Sequence, residues 1–108
     1  MIINELIVNA LAPLNLPIYF ISRMENSVPC VVFNYIESPS EFSDDNVDLK
    51  EYDIIINLYI EPDRYVQTTE KMCKLMVNNG FIESIRPTGM FDEILRVFNQ
   101  PIEFKFYK

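Results

Sequence analysis

The chain has 108 residues, nearly half of them apolar and 13% aromatic, which is enough for one domain with a real core and too hydrophobic for a disordered segment. It has no histidine, two glycines and two cysteines, which excludes Ser–His and Cys–His nucleophilic pairs, a glycine-rich phosphate loop and a disulfide-dense scaffold. The net charge of −7 is local: residues 37–63 hold nine carboxylates against Lys50 alone, a sum of −8, and the remainder carries +1. Such a block repels a phosphate backbone and argues against duplex recognition.

In chain order, the start Met1-Ile2-Ile3-Asn4-Glu5 carries an acid where a secretion signal would be basic, and no apolar run approaches the length of a membrane span. A soluble protein is expected, kept inside a cell or packed into a particle assembled there. Ile3, Leu6, Ile7, Ala10 and Leu11 fall on one helical face, which predicts an amphipathic helix over 2–12, with Pro13 and Pro17 bracketing its exit. Residues 18–22 form a short β-prone run and 23–28 a polar turn. Pro29 introduces a strand over 30–36, apolar on both faces except at Asn34, as a central strand would be. Residues 38–47 read as a loop rich in Ser, Asp and Asn, with one aromatic, Phe42, in its middle.

Tyr52, Ile54, Ile56, Leu58 and Ile60 alternate with a mixed set, the period of a strand with one fully apolar face. Pro62 stops that strand and Asp63 offers a helix N-cap. Val66, Thr69, Met72, Cys73, Met76 and Val77 follow at helical spacing, and Asn78-Asn79-Gly80 ends the helix with residues that tolerate a left-handed conformation. Residues 81–86 predict a strand stopped by Pro87-Thr88-Gly89. Residues 90–99 suit either a helical turn or an irregular strand. Ile102, Phe104 and Phe106 alternate with polar partners in a closing strand. The expected fold is α+β, in the order α-β-β-β-α-β-β over a single domain of 1–108. Its sheet is antiparallel or mixed, sequentially paired, with both helices on one face. The expected core is Leu6, Ile7, Val31, Phe33, Ile54, Ile56, Leu58, Met72, Cys73, Met76, Phe104 and Phe106.

The residues hold no catalytic constellation. Asp44, Asp45, Asn46 and Asp48 resemble a calcium loop only superficially, because Leu49 and Ile55 stand where the glycine and the closing glutamate belong. No metal and no cofactor is expected, and Cys30 and Cys73 read as buried thiols. Tyr19, Phe33, Tyr35, Tyr52 and Tyr59 are either an aromatic binding strip or, as strand spacing favours, core and sheet cover.

The ordered landmarks resemble a family of small tail proteins of long-tailed bacteriophages and prophages, the tail completion, tail terminator or tail-to-head joining proteins. They are an N-terminal helix leading to Val28-Pro29-Cys30-Val31-Val32-Phe33-Asn34-Tyr35; an acidic loop before Tyr52-Asp53-Ile54-Ile55-Ile56-Asn57-Leu58-Tyr59; and a helix over 63–77 closed by Asn79-Gly80-Phe81. Phe104-Lys105-Phe106 fits the family's closing strand, and 90–100 matches least. The resemblance implies a structural protein and no enzyme. It implies a ring of identical subunits, usually a hexamer, at the head-proximal end of the tail tube, with the tube protein and the head connector as partners. It also implies residence in the virion tail after assembly in the bacterial cytoplasm. Neither a membrane nor sequence-specific nucleic acid is an expected partner.

Within that reading Glu41, Phe42, Asp44, Asp45 and Asp48 form the expected interaction segment, the carboxylates facing the ring's inner rim and Phe42 packing on the sheet or on a neighbouring subunit. Two other readings use the same acids: a small inhibitor or immunity-type module capping a basic partner, and a metal-dependent enzyme built on Asp44, Asp45 and Asp48.

Overall fold

A computed structural model of the chain describes residues 2–23, 28–39 and 49–108. Its elements are α1 (Ile3–Leu11), β1 (Ile18–Phe20), β2 (Cys30–Pro39), β3 (Lys50–Ile60), α2 (Tyr65–Asn78), β4 (Ile82–Ile85), β5 (Met90–Asp92) and β6 (Val97–Tyr107). The fold is α+β, two helices laid on one face of a mostly antiparallel sheet ordered β1-β2-β3-β6-β4, with β5 also paired to β6. Among the described residues no helix is long and apolar enough to cross a membrane.

Two pairings depart from a sequential antiparallel meander. β1 runs parallel to β2, with Ile18 opposite Val31 and Phe20 opposite Phe33. β6 inserts between β3 and β4, so the strand made last becomes central. The alternation of β3 and β6 explains why. Each has one side that is apolar through most of its length, over 52–60 in β3 and interrupted by Gln100 in β6, and needs a partner on both edges, whereas β4, exposed at all four residues, is suited to a rim.

Ile54, Ile56, Leu58 and Ile60 meet Val31 and Phe33 on one flank and Ile102 and Phe104 on the other. Above them lie Ile3, Ile7, Ala10 and Leu11 of α1 and Thr69, Met72, Cys73 and Met76 of α2. Ten of the twelve expected core residues are buried; Leu6 and Phe106 pack at the margin instead. Val66 and Val77, expected on the buried face of α2, are exposed, because that face points its 69, 72, 73 and 76 side at the sheet.

The ends of α2 differ from one another. Asp63 does not cap the helix: Pro62–Arg64 form a 3-10 turn, the helix begins at Tyr65, and no side chain caps it. The C-terminus closes as expected. Gly80 takes φ 93, the Phe81 amide bonds the Met76 carbonyl at 3.1 Å, and the Gly80 amide bonds that of Val77 at 3.1 Å. This is a Schellman closure, and Phe81 completes it by packing into the core.

Residues 90–99 form β5, a turn and the start of β6. Asp92 Oδ1 accepts the amides of Ile94 and Leu95, both at 2.9 Å, and Arg96, at φ 58, donates its amide to the Asp92 carbonyl at 2.7 Å. An aspartate turn and a left-handed residue thus build a hairpin where the apolar spacing alone fits a helical turn equally well. β4 and β5 are successive pieces of one edge, paired to 103–105 and to 97–99 of β6. The break lies opposite Pro101. Lys50 and Lys108 exchange both backbone bonds at 3.0 Å, so even-numbered β6 residues bond β3 and Pro101 faces the other way, into the gap. The missing amide therefore costs no ladder bond. Gln100, 3% exposed, fills the break from the helix side. Its Nε2 donates to the carbonyls of Pro87 at 2.7 Å and Pro101 at 2.9 Å, and its Oε1 accepts the Tyr65 hydroxyl.

Candidate functional site

Among the described residues, chemistry-bearing side chains gather in two places. The first lies between α2 and β4. Arg86 donates to Glu70 Oε1 at 2.6 Å, to Glu83 Oε1 at 2.8 Å and to Cys73 Sγ at 3.1 Å. Burial, followed by a hydrogen bond with Glu83, pushes the Cys73 thiol up to about 12. A thiol so raised stays protonated at neutral pH and is a poor nucleophile. Among the described residues no cluster of histidine, cysteine and carboxylates is placed to hold a metal ion. An open groove of about 240 Å³ runs beside this cluster, lined by Cys73, Lys74, Val77, Asn78, Glu83 and Arg86.

Both cysteines are buried. At pH 8 a water-soluble thiol reagent is therefore expected to label neither in the native protein and both after denaturation. Native labelling of Cys73 at the rate of a free thiol would refute this account of the cluster.

The second place is the root of the β2–β3 hairpin. β2 extends to Pro39, three residues beyond the expected Ile36, because Ser38 and Pro39 pair with Glu51 and Lys50. On the helix face Glu37 accepts the Tyr52 hydroxyl at 2.9 Å and lies 3.2 Å from Lys50 Nζ. Those contacts, Tyr52 first, hold its carboxyl below the usual range, and the same bond raises the Tyr52 phenol. On the opposite face Lys105 Nζ sits 3.1 Å from both Glu51 and Asp53, which raise its pKa, Asp53 most. Glu83 is likewise held low, chiefly by Arg86. The contributions of Glu37 and Glu83 to stability are therefore fully present above pH 4.5, the ordinary glutamate value, and fade as the pH falls through the lowered values.

The root thus answers most of its own acids. Glu37, Glu51 and Asp53 share Lys50 and Lys105, so the root keeps a net charge of −1 and the connection beyond it, with four carboxylates, holds most of the hairpin's excess. That connection carries Glu41, Asp44, Asp45 and Asp48 with no basic residue among them. These four and Phe42 lie outside the described residues. The chain leaves β2 for them at Pro39 and re-enters the sheet at Lys50.

β1 covers little of β2. It ends in a γ-turn, the Ser22 amide bonding the Phe20 carbonyl at 2.9 Å around Ile21 at φ 74. A β-branched residue in that conformation is strained. The turn takes the chain off the sheet directly after the Ile21 amide has bonded the Phe33 carbonyl at 2.8 Å. From Tyr35 onward the edge of β2 has no strand beside it among the described residues. The Tyr35 amide instead finds Asn34 Oδ1 at 2.8 Å.

The aromatic residues do not form one strip. Phe20, Phe33, Tyr35 and Tyr52 make a chain of ring contacts on the helix face, with centroids 5.2 to 5.8 Å apart, whereas Tyr59 lies on the other face beneath the Arg23 guanidinium. A groove of about 310 Å³ opens between α1 and β1, lined by Asn4, Glu5, Val8, Asn9, Ile18, Phe20 and Phe33. The open β2 edge escapes a sequence reading because its length depends on where β1 stops. The visible mark is Asn34, the one polar residue in the run. No protein-family model matches the chain, and no curated protein matches it.

Proposed function

We propose that the chain is a structural subunit of a long-tailed phage or prophage tail, a tail completion or terminator protein. In this reading it forms a ring that ends the tail tube and receives the head connector, and it performs no catalysis. The observation that carries the reading is the acid-rich β2–β3 hairpin, set on an α+β body whose elements follow the order of the tail-protein landmarks. Its root is paired in register and largely neutralised, three carboxylates against two lysines, and its connection concentrates four carboxylates and one aromatic residue. Repeated around a ring, those carboxylates form a wall that repels passing DNA at short range. Salt screens such charges beyond ~10 Å at 0.1 M, so the effect is confined to the wall.

Light scattering across a concentration series, with negative-stain imaging, tests the reading. Higher species and ring-shaped particles are expected. A protein that stays monomeric or dimeric at all concentrations fits an acidic inhibitor-type module instead. Changing Glu41 to Gln and Asp44, Asp45 and Asp48 to Asn is expected to help rings close at low salt and to make them retain DNA. If that variant no longer oligomerises, the carboxylates make subunit contacts and the lumen assignment falls.

A further inference from the structure

Among the described residues the sheet offers two unfilled edges at the same level. Ile36, Asp53, Lys105 and Ile82 lie in one row across β2, β3, β6 and β4, and Tyr35, Ile54, Phe104 and Glu83 lie in the next. On one side the row ends at β2 beyond the reach of β1; on the other it ends at β4, the last strand of the order.

The register fixes which backbone groups face outward. Even-numbered residues of β3 bond β6, so its odd-numbered residues bond β2, and Val31, Phe33, Tyr35 and Glu37 of β2 point away from the sheet. Val31 and Phe33 are filled by Pro17 and Ile21, and the Tyr35 amide by its neighbour's side chain. The Glu37 backbone has no partner among the described residues.

Strand direction alternates strictly from β2 to β3 to β6 to β4. With four strands, an even number, a copy rotated about an axis along the strands brings its β2 antiparallel to β4, and the alternation continues across the joint. Paired residues share a face, so Ile36, Ile82 and Ile85 all lie on the side without helices, 68%, 53% and 53% exposed. Joining the edges would cover them against one another. On the helix side the incoming Glu37 meets the groove lined by Lys74 and Arg86. Lys74 has no ion pair among the described residues. Glu37 keeps its Tyr52 and Lys50 contacts and the groove also holds Glu83, so Lys74 is the cation there left without an ion pair among the described residues.

We infer that the β2 edge over 35–39 docks on β4 (Ile82–Ile85) of a second copy of this chain, so that subunits join head to tail in one continuous antiparallel sheet. The inference rests on the self-assembly reading above and adds the joint through which it occurs. The contact is heterologous, the type that closes into rings, whereas a two-fold would pair β2 with β2.

The test uses the full chain carrying Ile36→Cys, and separately Ile82→Cys or Ile85→Cys, with tags of different size. Facing residues on neighbouring strands fall within the Cα separation a disulfide requires. Under mild oxidation, a mixed disulfide is expected when the first variant is combined with one of the other two, whichever residue of β4 faces position 36, and none from any variant alone. A disulfide from Ile36→Cys alone signifies two-fold pairing and overturns the inference. Rings by light scattering without the mixed disulfide overturn the joint and leave the ring reading standing. No assembly at any concentration overturns both. Glu37→Pro provides an independent check, because it removes an outward amide that makes no ladder bond within the subunit. It is expected to lower the assembled fraction at least tenfold at fixed concentration relative to Glu37→Ala, a control that loses the same Tyr52 and Lys50 contacts but keeps the amide. Assembly at the native level would refute the joint.

Discussion

Replacing Ile56 by aspartate is expected to abolish cooperative thermal unfolding of the protein. Ile56 is fully buried in the middle of β3, opposite Phe33 on one side and Ile102 on the other, both also buried. Losing the branched side chain there costs roughly 2–5 kcal/mol in transfer and cavity terms. A buried carboxyl with nothing to bond adds ~1–3 kcal/mol even in its neutral form. The total, roughly 3–8 kcal/mol, matches the lower half of the ~5–15 kcal/mol that holds a small domain folded, so most or all of an ordinary margin is lost. Circular dichroism during a thermal scan measures this directly. A soluble Ile56→Asp variant with a sharp transition near the native one would mean that the two faces of β3 are reversed. Ile55→Asp serves as the contrast: Ile55 is 40% exposed on the opposite face and should tolerate the charge.

The second large effect is expected at the break in the rim. Gln100→Leu preserves volume but leaves the Tyr65 hydroxyl and the Pro87 carbonyl without their partner. The expected loss is about 2–4 kcal/mol, which for a domain near 100 residues lowers the melting temperature by roughly 10–30 °C. Gly89 is tied to the same cluster. A Cβ there would lie 2.8 Å from Gln100 Oε1 and closer still to the Tyr65 hydroxyl. Gly89→Ala should therefore cost ~1–3 kcal/mol through overpacking. The two sites share Tyr65, so Gly89→Ala combined with Tyr65→Phe should cost less than the sum of the single changes. Strict additivity in denaturant titrations would show that Gly89 is not held by that contact.

These two sites mark how far the fold can be read from residues alone. β3 and α2 were legible because long apolar repeats have only one good way to be buried, and their periods differ. Gly80 was legible because a left-handed cap favours that residue. Asp63 misled for a local reason: Pro62 tightens the first turn into a 3-10 form and moves the helix start past it. The 90–99 stretch could not be decided because its turn depends on one carboxylate, Asp92, accepting two amides, a bond that hydrophobic spacing does not encode. The place of β6 was hidden because strand order depends on which edges remain unfilled, a property of the whole sheet. Of the candidate site, the sequence marked the acidic connection through Glu41, Asp44, Asp45 and Asp48 and its aromatic, Phe42. The open edge at Tyr35 and Glu37 required knowing where the strained Ile21 takes β1 off the sheet.

The central position of β6 also sets a timetable. During synthesis β3 is complete well before the segment that must lie beside it, since 47 positions separate the start of one strand from the start of the other (Lys50 and Val97). At ~5–20 residues per second, β3 waits about 2–9 s with one flank of its apolar ladder unmatched. In that interval the nascent chain presents a long sticky strand to whatever is near, including other nascent copies. Glu41, Asp44, Asp45 and Asp48 immediately precede that strand in the chain, so the like charges they place on growing copies oppose association there.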